Sequence, residues 1–205
     1  SVGGVRALVE GDVKLAMKGV PEAVEACRDA GFSEVWLLTT SQLSEYPGVD
    51  RVISRVPPHE TGRVFRSTDV LVKLSQVEGM YGPPLEMFHC GGTVVSWDVT
   101  GSEEYVVDGQ NGLLCQMGDF DSLRAALRSV VEDPELLSRL KQGALSTAES
   151  WPDWTVSSRE FATYIFGIAA GEPIDAESLI LRILGAPRAV ELSQQEAEGN
   201  DPRLT

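Results

Sequence analysis

The chain has 205 residues, 42% of them hydrophobic, enough to bury one full core of the α/β kind. A formal net charge of −14 and a pI of about 4.5 argue against nucleic acid or an anionic membrane as the main partner, because both recognise clustered Lys and Arg; a local basic pocket for phosphate stays compatible. No apolar run approaches the roughly 18 residues of a membrane helix, and the opening SVGGVRALVEG has neither a charged n-region nor an h-region. Cys27, Cys90 and Cys115 sit in apolar patterns without CxxC spacing, as buried free thiols do in a reducing compartment, so the expected location is cytoplasmic.

In chain order, Val5 to Gly11 (VRALVEG) reads as a buried parallel strand. A polar loop leads to an amphipathic helix over Gly19 to Ala30, with Pro21 at its start, Val24, Cys27 and Ala30 on one face, and Gly31 as its stop. Glu34 to Thr40 is the second strand. The turn Tyr46-Pro47-Gly48 leads to a third from Arg51 to Val56, ended by Pro57-Pro58. A short helix is expected over Glu60 to Ser67, a fourth strand over Asp69 to Leu74, and a fifth over Val94 to Trp97. Gly101 to Val107 reads as another short helix. The turn chemistry of Asp108-Gly109-Gln110-Asn111-Gly112 precedes a sixth strand from Leu113 to Met117.

Asp119 caps a helix running through Val131, Asp133-Pro134 opens one to about Ser150, and residues 155 to 166 form a last helix with Phe161, Tyr164 and Phe166. Strands alternating with helices at this spacing predict an α/β fold, a doubly wound parallel sheet binding its ligand at the carboxyl ends of the strands. Residues 1–167 are expected to form this domain. Residues 168–205 read as an acidic tail, with one short helix over Ala176 to Leu184. No internal repeat is present.

The functional centre is expected in Leu74 to Val95 (LSQVEGMYGPPLEMFHCGGTVV), where an apolar strand breaks into a Gly/Pro loop and a short helix. Such a junction suits an anionic ligand, since a helix start offers unpaired N–H groups and a positive dipole end. Glu78 on the loop and Glu86 on the helix are both placed to face the pocket. His89 falls mid-helix and reads as packing or solvent-exposed, whereas His59 beside the prolines is a candidate base or ribose neighbour. Asp119-x-Asp121 has the form of a metal-holding pair, but N-capping accounts for it, and no metal site is expected. GxGxxG after the first strand, a P-loop, HExxH and G-x-S-x-G are all absent.

Over residues 75 to 114 the pattern resembles the donor-binding half of retaining GT-B glycosyltransferases, the group often called family 4. The matching residues are Ser75, Glu78-Gly79, Pro83-Pro84, Glu86, Gly91 and Val94-Val95, then Gly101, Glu104, Val107-Asp108-Gly109 and Asn111-Gly112-Leu113-Leu114. Gly118-Asp119 and Asp133-Pro134-Glu135-Leu136 also look like the family's C-terminal helices, so the likeness covers most of residues 5 to 165.

The resemblance implies a Rossmann-like domain, one half of a GT-B fold, that binds a nucleotide-diphosphate sugar as donor substrate and needs no cofactor. It places Glu86 on the ribose hydroxyls, Glu78 near the donor sugar, and the N–H groups of Gly79 and Met80 on the diphosphate at the helix start. Lys18, of the pair Lys18-Gly19, would neutralise the departing diphosphate. Ser75 would line the site, Glu104 would cap or line the sugar pocket, and Arg55 and Val56 would pack the base.

The sequence departs from the family at Asp12, where an Arg follows the first strand's Gly, so that Lys14 substitutes or diphosphate binding weakens. Tyr81-Gly82 and Thr93 depart as well. The acceptor half is missing from these residues, so an acceptor domain or partner chain is expected, as is self-association through the aromatic helix at 155–166. A sugar-nucleotide epimerase or hydrolase half and a non-catalytic nucleotide- or partner-binding module stay open as alternatives.

Overall fold

The strands are short apolar runs, and the central ones are buried on both faces, as a sheet covered by helices on each side requires. A computed structural model of the chain describes residues 4–171. Contacts divide it into one unit ending at Trp151 and another beginning at Pro152.

The first unit is an all-parallel six-stranded sheet in the order β3-β2-β1-β4-β5-β6. Its strands are β1 (Arg6–Glu10), β2 (Glu34–Thr39), β3 (Arg51–Ser54), β4 (Val70–Lys73), β5 (Thr93–Trp97) and β6 (Gly112–Cys115). The helices are α1 (Val20–Ala30), α2 (Pro58–Phe65), α3 (Gly82–His89), α4 (Phe120–Glu132) and α5 (Pro134–Ser150). Helix α1 packs against α4, and α3 packs against α2 and α5. Every residue of β4 and β5 is buried. Tyr81, Phe65, Phe88, Leu8, Leu37 and Leu71 fill the core. The second unit is described by α6 (Trp154–Ala169), none of whose residues is buried.

Chain order reverses between β1 and β4: β2 and β3 add on one side of β1, and β4 to β6 on the other. In a doubly wound sheet the loops leaving two such strands diverge and open a crevice at their carboxyl ends, where ligands bind.

The expected element types hold, with three revisions. The loop after β1 contains a 3-10 turn at Ala16–Lys18, and Gly19, at φ 60°, caps α1 from outside instead of beginning it. The helix expected over Gly101 to Val107 is only a 3-10 turn at Ser102–Glu104. Gly101 enters it at φ 90°, and the buried Tyr105 leaves it at φ −152°, so the turn cannot propagate. Helix α6 runs to Ala169, two residues beyond the expected edge of the domain, while the helix expected at Ala176 to Leu184 and most of the expected tail lie outside the described residues.

Asp119 accepts from Ser122 N at 3.0 Å and caps α4, and Asp133 accepts from Glu135 N and Leu136 N at 2.9 Å and caps α5. Asn111 is buried: its Nδ2 donates to Tyr105 O at 2.7 Å and to Thr147 Oγ1 at 2.9 Å, tying the turn before β6 to α5.

Candidate active site

Four charged side chains meet where β1 and β4 end. Glu10 closes β1 and Lys73 closes β4, and the two form an ion pair. Glu78, on the loop after β4, takes Lys18 Nζ at 2.7 Å and Lys73 Nζ at 3.2 Å, both on Oε1. Lys18 reaches this point because Gly19 packs on the end of β4. A Cβ there would lie 2.7 Å from Leu74 O, and the left-handed φ already disfavours a side chain. Gln76 N donates to Met17 O at 2.9 Å and stitches the 3-10 turn to the loop after β4. The Lys-Gly pair is thus a backbone device that brings one lysine to one carboxylate.

Burial works to raise the pKa of Glu78, but the Lys18 hydrogen bond, the adjacent Ser75 hydroxyl and the Lys73 charge outweigh it and hold the carboxyl below its ordinary range. Ser75 is fully buried, and its Oγ, though close to Glu78, reaches no partner in hydrogen-bonding geometry. Tyr81, also fully buried, donates its hydroxyl to Lys73 O at 3.1 Å and fixes the strand end from the α3 side.

Beside the cluster lies a cavity of about 370 Å³ whose wall includes Glu10, Thr39, Arg55, Val56, Pro83 and Glu86. It brings together the carboxylate expected on a ribose and the two residues expected against a base. Glu86 keeps an exposed face, yet partial burial and then the Glu10 charge raise its pKa. Arg55 is the one non-glycine among the described residues with positive φ, at 54°, and its Nε donates to Thr40 O at 3.4 Å. Backbone strain held at a cavity rim is frequent at binding sites. A larger concavity, about 670 Å³, lies near the amino ends of the strands, where Lys141 already neutralises Asp69 at 2.5 Å. The smaller cavity, at the carboxyl ends and beside the ion cluster, is the candidate site.

Other expected residues stand elsewhere. Gly79 and Met80 are exposed and precede α3, whose first residue is Gly82, so they are not its first turn. Pro83 and Pro84 bring no N–H to that turn, and Gly82 N is taken by Met80 O at 2.9 Å. The donors expected at a helix start therefore have to come from the loop. Among the described residues, neither Gly79 N nor Met80 N donates to the protein.

Glu104 is exposed, and no ion pair among the described residues joins it to the cluster. Its neighbour Gly101 does touch the loop: a Cβ there would lie 2.1 Å from Gly79 O. Asp12 accepts from Ser41 Oγ, from Thr40 Oγ1 at 3.2 Å and from Lys14 N at 3.0 Å. It clamps the loops after β1 and β2 together and is held below its ordinary pKa, chiefly by Ser41 and then by the Lys14 N–H. Lys14 is exposed and makes no ion pair among the described residues. His59 and His89 are exposed, with His59 Nε2 3.7 Å from Glu60.

Glu10 and Lys73 were not anticipated. The signal was a charged residue at the carboxyl end of each of two neighbouring apolar strands, in ALVEG and VLVKL.

Residues 33–147 match the family described as glycosyl transferases group 1. The chain belongs to this family. Over 136 residues it is 27% identical to the glycogen synthase of Mycobacterium tuberculosis, covering 66% of this chain and 33% of that protein. The Anabaena protein HepE, solved in complex with UDP-glucose, superposes with a TM-score of 0.70 at 16% identity, over 80% of this chain and 49% of HepE. The C-terminal domain of the glycosyl transferase group 1 protein LpcC from Francisella tularensis superposes with a TM-score of 0.59 at 19% identity, over 72% of this chain and 86% of that domain.

At these low identities the solved structures establish the fold alone, a Rossmann-like domain of GT-B type. The chain spans about a third of the length of the curated relatives it matches. No helix among the described residues is long and apolar enough to cross a membrane.

Proposed function

We propose that this group 1 chain is the donor-binding half of a retaining glycosyltransferase, taking a nucleotide-diphosphate sugar and passing its glycosyl group to a hydroxyl acceptor held by another domain or a partner chain. The observation that carries the reading is the pairing of Lys18 with Glu78 beside a cavity walled by Glu86, Arg55 and Val56. A carboxylate whose oxygens take no hydrogen bond among the described residues suits paired ribose hydroxyls, which is the role given to Glu86. Arg55 and Val56 would flank the base. The N–H groups of Gly79 and Met80, with Lys18, would meet the diphosphate, where charge grows as the glycosyl bond breaks. Glu78 would lie near the sugar. Each of these is positioning and electrostatics, and none needs a metal ion.

The test is a thermal-shift panel of UDP, GDP, ADP and dTDP, with and without EDTA, on the wild type and Glu86→Ala. At about 100 times its Kd a diphosphate stabilises by roughly 2.7 kcal/mol. One diphosphate should shift the wild type, ignore EDTA and fail on Glu86→Ala; no shift with any of them overturns the reading.

Asp12 favours a second reading, a module that binds nucleotide without turning it over. The position at which the resembled pattern usually carries an Arg is here a carboxylate committed to Ser41 and Thr40. Binding of a diphosphate together with no transfer or hydrolysis of the corresponding sugar nucleotide by the full-length protein would select it.

A further inference from the structure

The least expected group in the site is Lys73. Its side chain is 3% exposed, at the end of an otherwise apolar strand, and it touches two carboxylates, Glu10 and Glu78. Burying an ammonium is costly unless it is fully paired, so this lysine is held in place by what it neutralises. Lys18, on the same Glu78 oxygen, is 20% exposed and stands on a 3-10 turn, not on a strand. The four side chains sum to zero charge, with one cation fixed and one at the surface.

We propose that Lys73 is a positioning residue of the donor site: it holds Glu78 at the strand end so that Lys18 is free to pass from Glu78 to the diphosphate of a bound nucleotide. The proposal rests on the donor-binding reading above. Without Lys73, Lys18 is the cluster's remaining cation for both Glu10 and Glu78. Its departure then leaves Glu78, and Glu10 beside it where that residue is kept, without a cation in a poorly solvated pocket, and the lysine stays where it is. With Lys73 present, Glu78 keeps a partner at 3.2 Å after Lys18 has moved. The groups facing Glu78 are Lys18 from the 3-10 turn, Lys73 from β4, Ser75 from the loop, and Tyr81 at the start of α3. Glu10 at the end of β1 faces the same lysine, and its charge reaches Glu86.

The experiment uses Lys73→Met and, because a stranded Glu10 can unfold that variant, Glu10→Gln/Lys73→Met. Two quantities are read: the titration midpoint of the Glu78 carboxyl carbon by carbon-13 NMR without nucleotide, with Glu78→Gln to assign the signal, and the affinity for UDP, GDP, ADP and dTDP by calorimetry. The expected result in the double variant is a Glu78 midpoint higher by roughly one pH unit or more. The best-bound diphosphate should weaken by about tenfold, the equivalent of that unit.

A Lys73 that only fills the core would lower or raise Tm while moving neither reading. An unmoved midpoint overturns the proposal, and so does unchanged affinity in a protein whose wild type binds. If the wild type binds no diphosphate, the donor reading is what fails, and the Glu78 midpoint alone still decides whether Lys73 holds that carboxylate.

Discussion

Glu78, in the ion cluster, and Glu86, on the wall of the neighbouring cavity, are pushed in opposite directions by their surroundings. Glu78, paired with two lysines, sits below its ordinary 4.5. Its contribution to stability is therefore present above about pH 4.5 and is lost as the pH falls through the depressed value. Glu86 sits above 4.5, raised by partial burial and by Glu10. Its contribution is present below 4.5 and is lost as the pH rises through the raised value, so at neutral pH its charge is a liability to the fold. Glu86→Gln should raise Tm at pH 7 relative to pH 4 while weakening nucleotide binding. Melts at the two pH values and calorimetry check both halves, and a lower Tm at pH 7 would remove the electrostatic account of this residue. At Gly19 the constraint is steric. Alanine there meets Leu74 O at 2.7 Å in a left-handed conformation, and Gly19→Ala should cost about 1–3 kcal/mol by chemical denaturation and loosen Lys18 from Glu78.

Among the elements, the turn before β6 and helix α5 act as a unit. Asn111 reaches Thr147 on α5, and Gly143 of α5 lies against the turn, with a Cβ there falling 2.1 Å from Gln110 O. Within a helix, Gly→Ala normally stabilises by about 1 kcal/mol. Here the sign should invert: Gly143→Ala is expected to lower Tm because the turn's backbone must move to admit the methyl. A thermal melt followed by circular dichroism reads that sign directly. The same coupling makes the Asp-Gly-Gln-Asn-Gly run, read in the sequence as a turn, a docking device. Its asparagine is buried and spends its amide on Tyr105, Val107 and Thr147. Helix α3 makes the reverse point. Its start looks like an anion site in sequence, but two prolines and a bonded Gly82 remove most of its donors, leaving that task to the loop.

For the molecule as a whole, an all-parallel sheet whose strand order reverses between β1 and β4 brings residues 10, 18, 73, 78 and 86 to one edge, although they are spread over much of the first unit. The second unit is described by α6, where Trp154 is 87%, Phe161 68% and Phe166 72% exposed. Apolar surface of this kind favours association. The expected self-association is checked by light scattering, and a monomer at high concentration would overturn it.

Strand and helix order, the parallel sheet, and the caps at Asp119 and Asp133 were legible in the residues alone, because period, capping and turn chemistry are local properties. The four-charge cluster was not. Glu10 and Lys73 are 63 positions apart, and each looked like the polar end of an apolar strand. Only the crossover that sets β1 beside β4 makes them a pair. Asp12 was legible as a departure, but its partners, Thr40 and Ser41, lie beyond β2 and appear only once that strand is paired to β1. Local pattern determined the elements and their order. Strand adjacency, a long-range property, decided which charges neutralise one another and therefore which are free to meet a ligand.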